Sequence, residues 1–203
     1  MQLDRDGCYD LPPGKLAAIV TYLEMTAPPP YQPPAMPAGV DLRRVVAPTV
    51  GWYRDLFRRV GAEWLWFSRL AIGDETLASI LGSPGVQVYA LTRDGREEGL
   101  AELDLRAWPD VEIAFLGLTR DVMGSGTGRW LLARALDLAW AAGPRRVWVH
   151  TCTLDHPRAL PLYLRAGFRP YRRAVEVADD PRLLGLLPRD SAAWLPLLGS
   201  TTE

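Results

Sequence analysis

Apolar and polar positions change period several times along the chain. Lys15 to Met25 carries Leu16, Ile19, Val20 and Leu23, a short repeat that a helix or a strand packed on the body would satisfy. From Ala27 to Pro37 six of eleven residues are proline, which forbids helix and sheet interiors and predicts an extended, polyproline-like arm. Val40 to Val46 alternates as a strand does. Pro48-Thr49 then starts a helix with Trp52, Leu56, Phe57 and Val60 on one face and Gly61 at its stop. A second, aromatic-rich helical stretch is expected over Ala62 to Leu70, and Asp74 caps a third helix carrying Leu77, Ile80 and Leu81.

Val86 to Thr92 and Leu100 to Arg106 read as an antiparallel pair of strands, joined by a loop that contains Asp94-Gly95 but is longer than two residues. Val111 to Leu118 is apolar almost throughout, as in a central strand covered on both faces, and Glu112 is its one charged residue. Thr127 to Ala141 repeats Leu131, Leu132, Ala135, Leu138 and Ala139 at helical spacing and ends at Gly143-Pro144. Arg146 to Thr153 is a further strand, and Pro157 opens a helix that reaches Ala166, with Gly167 at its stop. A strand, helix, strand succession makes a right-handed crossover between parallel strands. The expected fold is therefore α/β (α+β): a mixed, mostly antiparallel central sheet flanked by helices.

At 203 residues the chain suits one domain, with 1–38 as an N-terminal extension bearing the proline-rich arm, 39–172 as the functional domain and 173–203 as a C-terminal extension packed on it. A net charge of −1 with scattered positive residues lacks the basic footprint of a nucleic-acid binder. Cys8 and Cys152 lie far apart without metal-type spacing, so neither a disulfide nor a zinc site is expected. No charged-then-apolar leader opens the chain, and no apolar run approaches the ~20 residues that span a bilayer. The expectation is a soluble, cytoplasmic protein without a metal or a membrane partner.

Between the apolar strand and the amphipathic helix stands Gly124-Ser125-Gly126-Thr127-Gly128. Alternate glycines let successive N–H groups converge on an anion, the helix start adds partial positive charge, and Arg129 adds a full one. A dinucleotide fingerprint needs glycine where Arg129 stands, and a Walker loop needs a lysine that is missing here. A glycine-rich connector without a ligand remains the alternative.

These residues resemble the GNAT superfamily of acyl-CoA-dependent N-acetyltransferases, whose signature is Gln or Arg, two residues, Gly, one residue, then Gly or Ala. Met123, Gly126 and Gly128 occupy those positions, with Met123 in place of Gln or Arg. A second family pattern, Asn, Ala, Tyr and Gly-Phe, is matched in spacing by His156, Ala159, Tyr163 and Gly167-Phe168, with His156 replacing Asn. The resemblance covers Val40 to Tyr171. It implies a CoA pyrophosphate on Met123, Gly124, Ser125, Gly126, Thr127, Gly128 and Arg129. It also implies a pantetheine arm along the backbone of Leu116, Gly117 and Leu118, and Tyr163 as the acid that protonates the leaving thiolate. The implied reaction moves acetyl from acetyl-CoA directly to a primary amine of a small molecule or peptide. A homodimer is left open.

An aliphatic amine is neutral in only about one molecule in 10³ at pH 7, so a base is needed. Glu112, a lone carboxylate on an apolar strand with a raised pKa expected, is the first candidate, with His150, His156 or water as alternatives. Glu102 and Asp104, two apart on one strand, would form an acidic wall for a cationic amine. Trp52, Tyr53, Trp64, Trp66 and Phe67 fall where the family often lines its acceptor pocket, and Trp66 is taken with Glu102, Asp104 and His150 as acceptor-binding. A catalytically idle CoA-binding or sensor module is the competing reading.

Overall fold

The structure, a computed structural model, describes residues 5–30, 33–124 and 126–199. Seven strands form one sheet: β1 (Lys15–Met25), β2 (Val40–Val45), β3 (Val86–Arg93), β4 (Arg96–Asp104), β5 (Asp110–Leu118), β6 (Arg146–Cys152) and β7 (Arg169–Asp179). Their order is β2-β3-β4-β5-β6-β1-β7, and every neighbouring pair is antiparallel except β5 with β6. The sheet is mixed and mostly antiparallel, as the crossover argument requires. Helices α1 (Val50–Gly61), α2 (Ser68–Ala71) and α3 (Asp74–Leu81) cover one face; α4 (Thr127–Ala141) and α5 (Ala159–Arg165) lie on the other.

β1 resolves the ambiguity of the first apolar segment and places it in the sheet, between β6 and β7. Leu16 and Ala18 face the α1 side while Leu23 and Met25 face the α4 side. Ile19, which the helical spacing would count as core, is 44% exposed. The residues expected to form an N-terminal extension thus contribute an interior strand. Leaving β1, the chain must reach β2 at the opposite edge, five inter-strand steps of about 4.8 Å away. At ~3.1 Å per residue, the rise of a polyproline helix, the segment between the two strands is long enough for that crossing. Met36 of the arm shares a groove with Trp130, Arg134 and Leu138 of α4, which places the crossing on the α4 face.

Four local expectations change. Asp74 is the first residue of α3 rather than its cap, which is Gly73. Asp94 (φ 51°) and Gly95 (φ 80°) form a two-residue turn, so the β3–β4 hairpin is tight and β4 begins at Arg96. Its first residues looked like loop because Glu97 and Glu98 are charged. Glu97 is in fact held by Arg43 and by the Trp52 indole N–H at 2.9 Å, and Glu98 by the Thr119 hydroxyl. The stretch Ala62 to Leu70 breaks into a 3-10 turn and the short α2 because Leu65 adopts φ 54°. Helix α5 starts at Ala159, after a turn in which His156 Nδ1 accepts from Arg158 N at 3.0 Å.

The core is double. On the α4 side Leu23, Leu103, Ile113, Leu131 and Leu136 are essentially inaccessible, and on the α1 side Tyr53, Leu56, Phe57, Leu77 and Leu100 are. After β7 the chain returns over the α1 face, where Leu187 and Ala192 pack in the same cluster as Leu16 and Ala18. The buried Arg182 holds that return: it pairs with Asp180 and donates to the carbonyls of Ser191 and Leu195 at 3.1 and 2.9 Å. No helix among the described residues is long and apolar enough to cross a membrane.

Candidate active site

The parallel pairing of β5 with β6 runs only from Asp110 and Arg146 to Ile113 and Val149. At that point β5 carries a bulge: Leu103 faces Ile113 and Glu102 faces Phe115, so Ala114 is the extra residue. A bulge bends its strand and increases the local twist, and from here β5 stays with β4 to Leu118 while β6 diverges. Among the described residues, one backbone edge of Ala114 to Leu118 is left without a strand partner. The wedge is a cleft of about 310 Å³, lined by Ala114 to Leu118, by Val149, His150 and Cys152, by Trp64 to Ser68, and by Met123, Asp155, Tyr163 and Glu176.

Leu116, Gly117 and Leu118 lie on this stretch of β5 and line the cleft. A Cβ on Gly117 would stand 2.5 Å from Val60 Cγ1 and 2.9 Å from Trp66 Cη2, so this glycine lets α1 and Trp66 close on the strand. Met123 lines the cleft as a half-buried apolar side chain. Gly124 and Gly126 take φ of 85° and 84°, the left-handed angles that a nest of N–H groups requires. Ser125 lies outside the described residues. Gly126 is the N-cap of α4, and its carbonyl accepts from both Arg129 N and Trp130 N, so the helix opens directly on the glycine turn. Thr127 is fully buried, and among the described residues Arg129 is an exposed cation with no ion-pair partner. An open strand edge, a left-handed glycine turn at a helix start and an unpaired arginine fit an extended anionic ligand with amide groups in its arm.

Tyr163 projects from α5 into the cleft, 6% exposed and edge-on to Phe168. Burial, with a smaller contribution from the charge on Asp155, holds its pKa well above the ordinary phenol value, so it stays protonated at all ordinary pH. Cys152 gauges what the same cleft does to a thiol: burial first, then the charge on Asp155, pushes it up to about 11.

Glu112 and His150 form a pair, Oε1 to Nδ1 3.2 Å, in which only His150 lines the cleft. Burial acts to lower the His150 pKa. The hydrogen bond and charge of Glu112, with the charges of Asp155 and Glu176, outweigh it and leave the imidazole above its ordinary value. Glu102 and Asp104 do not make an acidic wall, because α1 and α2 pack over that face of β4. Glu102 is wholly buried, accepting from the Tyr53 hydroxyl and from Arg69 Nη2 at 2.5 Å, and Asp104 is clamped by Arg106. Neither lines the cleft. Of the aromatics, Trp64, Trp66 and Phe67 line it, whereas Trp52 serves Glu97 and Tyr53 serves Glu102.

Sequence reasoning missed Asp155 and Glu176. Asp155 accepts from Trp66 Nε1 at 3.0 Å, Thr151 Oγ1 at 2.7 Å and Cys152 N at 2.8 Å, tying the aromatic segment to the end of β6. The Asp-His-Pro triplet between a strand and a helix was its signal, as a turn former. Glu176 lies on β7, outside the matched motifs. Among the described residues no group of three or more His, Cys, Asp or Glu could hold a metal ion.

Residues 52–168 match the acetyltransferase (GNAT) family. The chain belongs to that family. Solved structures with the GNAT fold resemble it over most of its length. One is a GCN5-related N-acetyltransferase from Sphaerobacter thermophilus, with TM-score 0.55 and 18% identity over 83% of this chain and 52% of that one. Another is a GNAT-family acetyltransferase from Novosphingobium aromaticivorans, with TM-score 0.56 and 18% identity over 83% and 68% of the two chains. An aminoglycoside acetyltransferase from an uncultured soil metagenomic sample aligns with TM-score 0.53 and 16% identity over 64% of this chain and 88% of that one. At these identities the likeness is one of fold, and the chain spans about half the length of the Sphaerobacter chain. No curated protein sequence matches it. Within the GNAT domain, β5 and β6 supply the open wedge and α4 the glycine turn at its end.

Proposed function

We propose that the protein is an N-acetyltransferase that moves the acetyl group of acetyl-CoA directly to a primary amine of a small molecule or peptide. The observation that carries this reading is the wedge itself: an unpartnered strand edge, a protonated phenol and a histidine–carboxylate pair surround one cleft. Leu116 to Leu118 would hold the pantetheine arm through main-chain groups. Gly124 to Gly128, with Arg129, would hold the pyrophosphate. The bound thioester supplies an activated acyl group.

The chain's own residues handle the protons. Neutralising an alkylammonium at pH 7 represents about 4–5 kcal/mol. His150, oriented through Nδ1 by Glu112, accepts that proton directly or through water. Glu112 thereby moves from the base itself to the residue that holds the base. Tyr163 donates to the departing sulfur, and its raised pKa keeps it loaded with the proton until a basic thiolate appears. Loss of a positioned acid typically costs 10²–10⁴ in rate.

The test is thiol release from acetyl-CoA across a panel of amines, with CoA affinity measured in parallel by calorimetry. Tyr163→Phe is expected to lower kcat about 100-fold or more while leaving CoA affinity unchanged; an unaltered kcat removes Tyr163 as the acid. CoA binding with no thiol release for any amine would support the idle or sensor reading instead.

A further inference from the structure

We infer that Glu176 docks the ammonium group of the acceptor, and that the acceptor is a monoamine with an apolar body. This rests on the acetyl-transfer reading and names its substrate class. Glu176 stands on β7 opposite Ala18 of β1, and both line the cleft. Among the described residues its carboxylate makes neither an ion pair nor a hydrogen bond. The other acids near the cleft are committed: Glu112 to His150, Asp155 to three donors, Glu63 to Arg120. Glu176 lines the same cleft as His150 and Cys152, and its charge adds a minor upward push to the pKa of each. No arginine or lysine lines the cleft. An entering ammonium group therefore meets one solvent-exposed carboxylate without an ion-pair partner among the described residues, and no cation lining the cleft.

The rest of the acceptor meets different chemistry. Leu16, Ala18, Leu154, Trp66, Phe67 and Phe115 line the same cleft. Hydroxyls or a second ammonium group pressed against them would lose water without gaining partners. The cleft volume of about 310 Å³ lies at the lower end of the ~300–1,000 Å³ usual for small-molecule sites, so the body must be compact. An arylalkyl or alkyl monoamine satisfies these constraints; an amino sugar or a polyamine does not.

The experiment compares the full chain with Glu176→Gln and Glu176→Asp, using phenethylamine, an aryl amine uncharged at neutral pH, spermidine and an amino sugar. Glu176→Gln is expected to raise KM for phenethylamine about tenfold, the scale of one partly solvated charge pair. Glu176→Asp should recover part of the loss. The uncharged aryl amine should show a ratio near one, and spermidine and the amino sugar should be the poorest acceptors of the set. Equal KM values for phenethylamine in the parent and Glu176→Gln, or a polyamine or amino sugar as the best acceptor, would overturn the inference. Calorimetric binding of phenethylamine to the CoA-saturated protein separates the two proposals. Binding that depends on Glu176 without any thiol release refutes transfer while upholding the docking role; binding indifferent to Glu176 refutes the docking role.

Discussion

Replacing Arg69 with methionine should destabilise the protein by about 3 kcal/mol, near the lower end of the ~3–5 kcal/mol seen when one partner of a buried ion pair is removed. Glu102 is inaccessible and Arg69 only 14% exposed in its side chain, so solvent screens the pair little. Methionine keeps the apolar stem and deletes the charge, leaving Glu102 with the Tyr53 hydroxyl alone. Two features set the size of the loss. Burial first, then the charge and hydrogen bond of Glu102, raises the Tyr53 pKa well above its ordinary value, so Tyr53 stays a neutral donor and cannot replace the cation. Arg69 Nε, however, is buried without a hydrogen-bond partner among the described residues, and its removal relieves that defect. Urea denaturation measures the change directly, and at ~2–4 °C per kcal/mol the melting temperature should fall by roughly 6–12 °C. Arg69→Met combined with Glu102→Leu should recover most of the loss, because an apolar replacement of a buried pair is often neutral or better. A single-variant cost below about 1 kcal/mol, or a double variant no more stable than the single one, would refute this account of the trio.

The pH response follows from His150. As base it must be neutral, so kcat/KM should rise with pH through a midpoint above ~6.5, the ordinary imidazole value. His150→Gln should abolish that limb, and Glu112→Gln should move it to lower pH because the carboxylate charge that does most to raise the pKa is then lost. The same raised pKa acts on stability with the opposite sense: the contribution of the charged pair is complete below ~6.5 and is lost as pH rises through the folded-state value. Gly126→Ala tests the glycine turn. Its added Cβ meets nothing within 4 Å, so the cost is the ~1–2 kcal/mol of a left-handed φ of 84°, and CoA affinity by calorimetry should fall about tenfold or more while the fold persists.

Much of the fold was legible because it is local. Helix α4 has the limits its periodicity predicts, since a 3.6-residue apolar repeat and a flanking glycine need no distant partner. The glycine turn was legible for the same reason: φ beyond +80° at Gly124 and Gly126 is a demand on single residues. Tyr163 was reachable through the spacing of its motif, and the structure puts it in the cleft.

What depends on which segments meet was not legible. β1 entered the sheet between β6 and β7 because strand pairing is set by hydrogen-bonded neighbours more than a hundred residues away. Glu102 looked like a solvent-facing acid until α1 and α2 brought Tyr53 and Arg69 over it. The Ala114 bulge exists only as a mismatch in register between β4 and β5, and the wedge only as the end of pairing between β5 and β6. By itself the sequence determined the elements, the phosphate-type turn and the family pattern. Tertiary structure decided that Glu112 pairs with His150 rather than lining the cleft, and that Glu176 lines it without an ion-pair partner among the described residues, because charge and burial belong to the surroundings of a side chain and not to its identity.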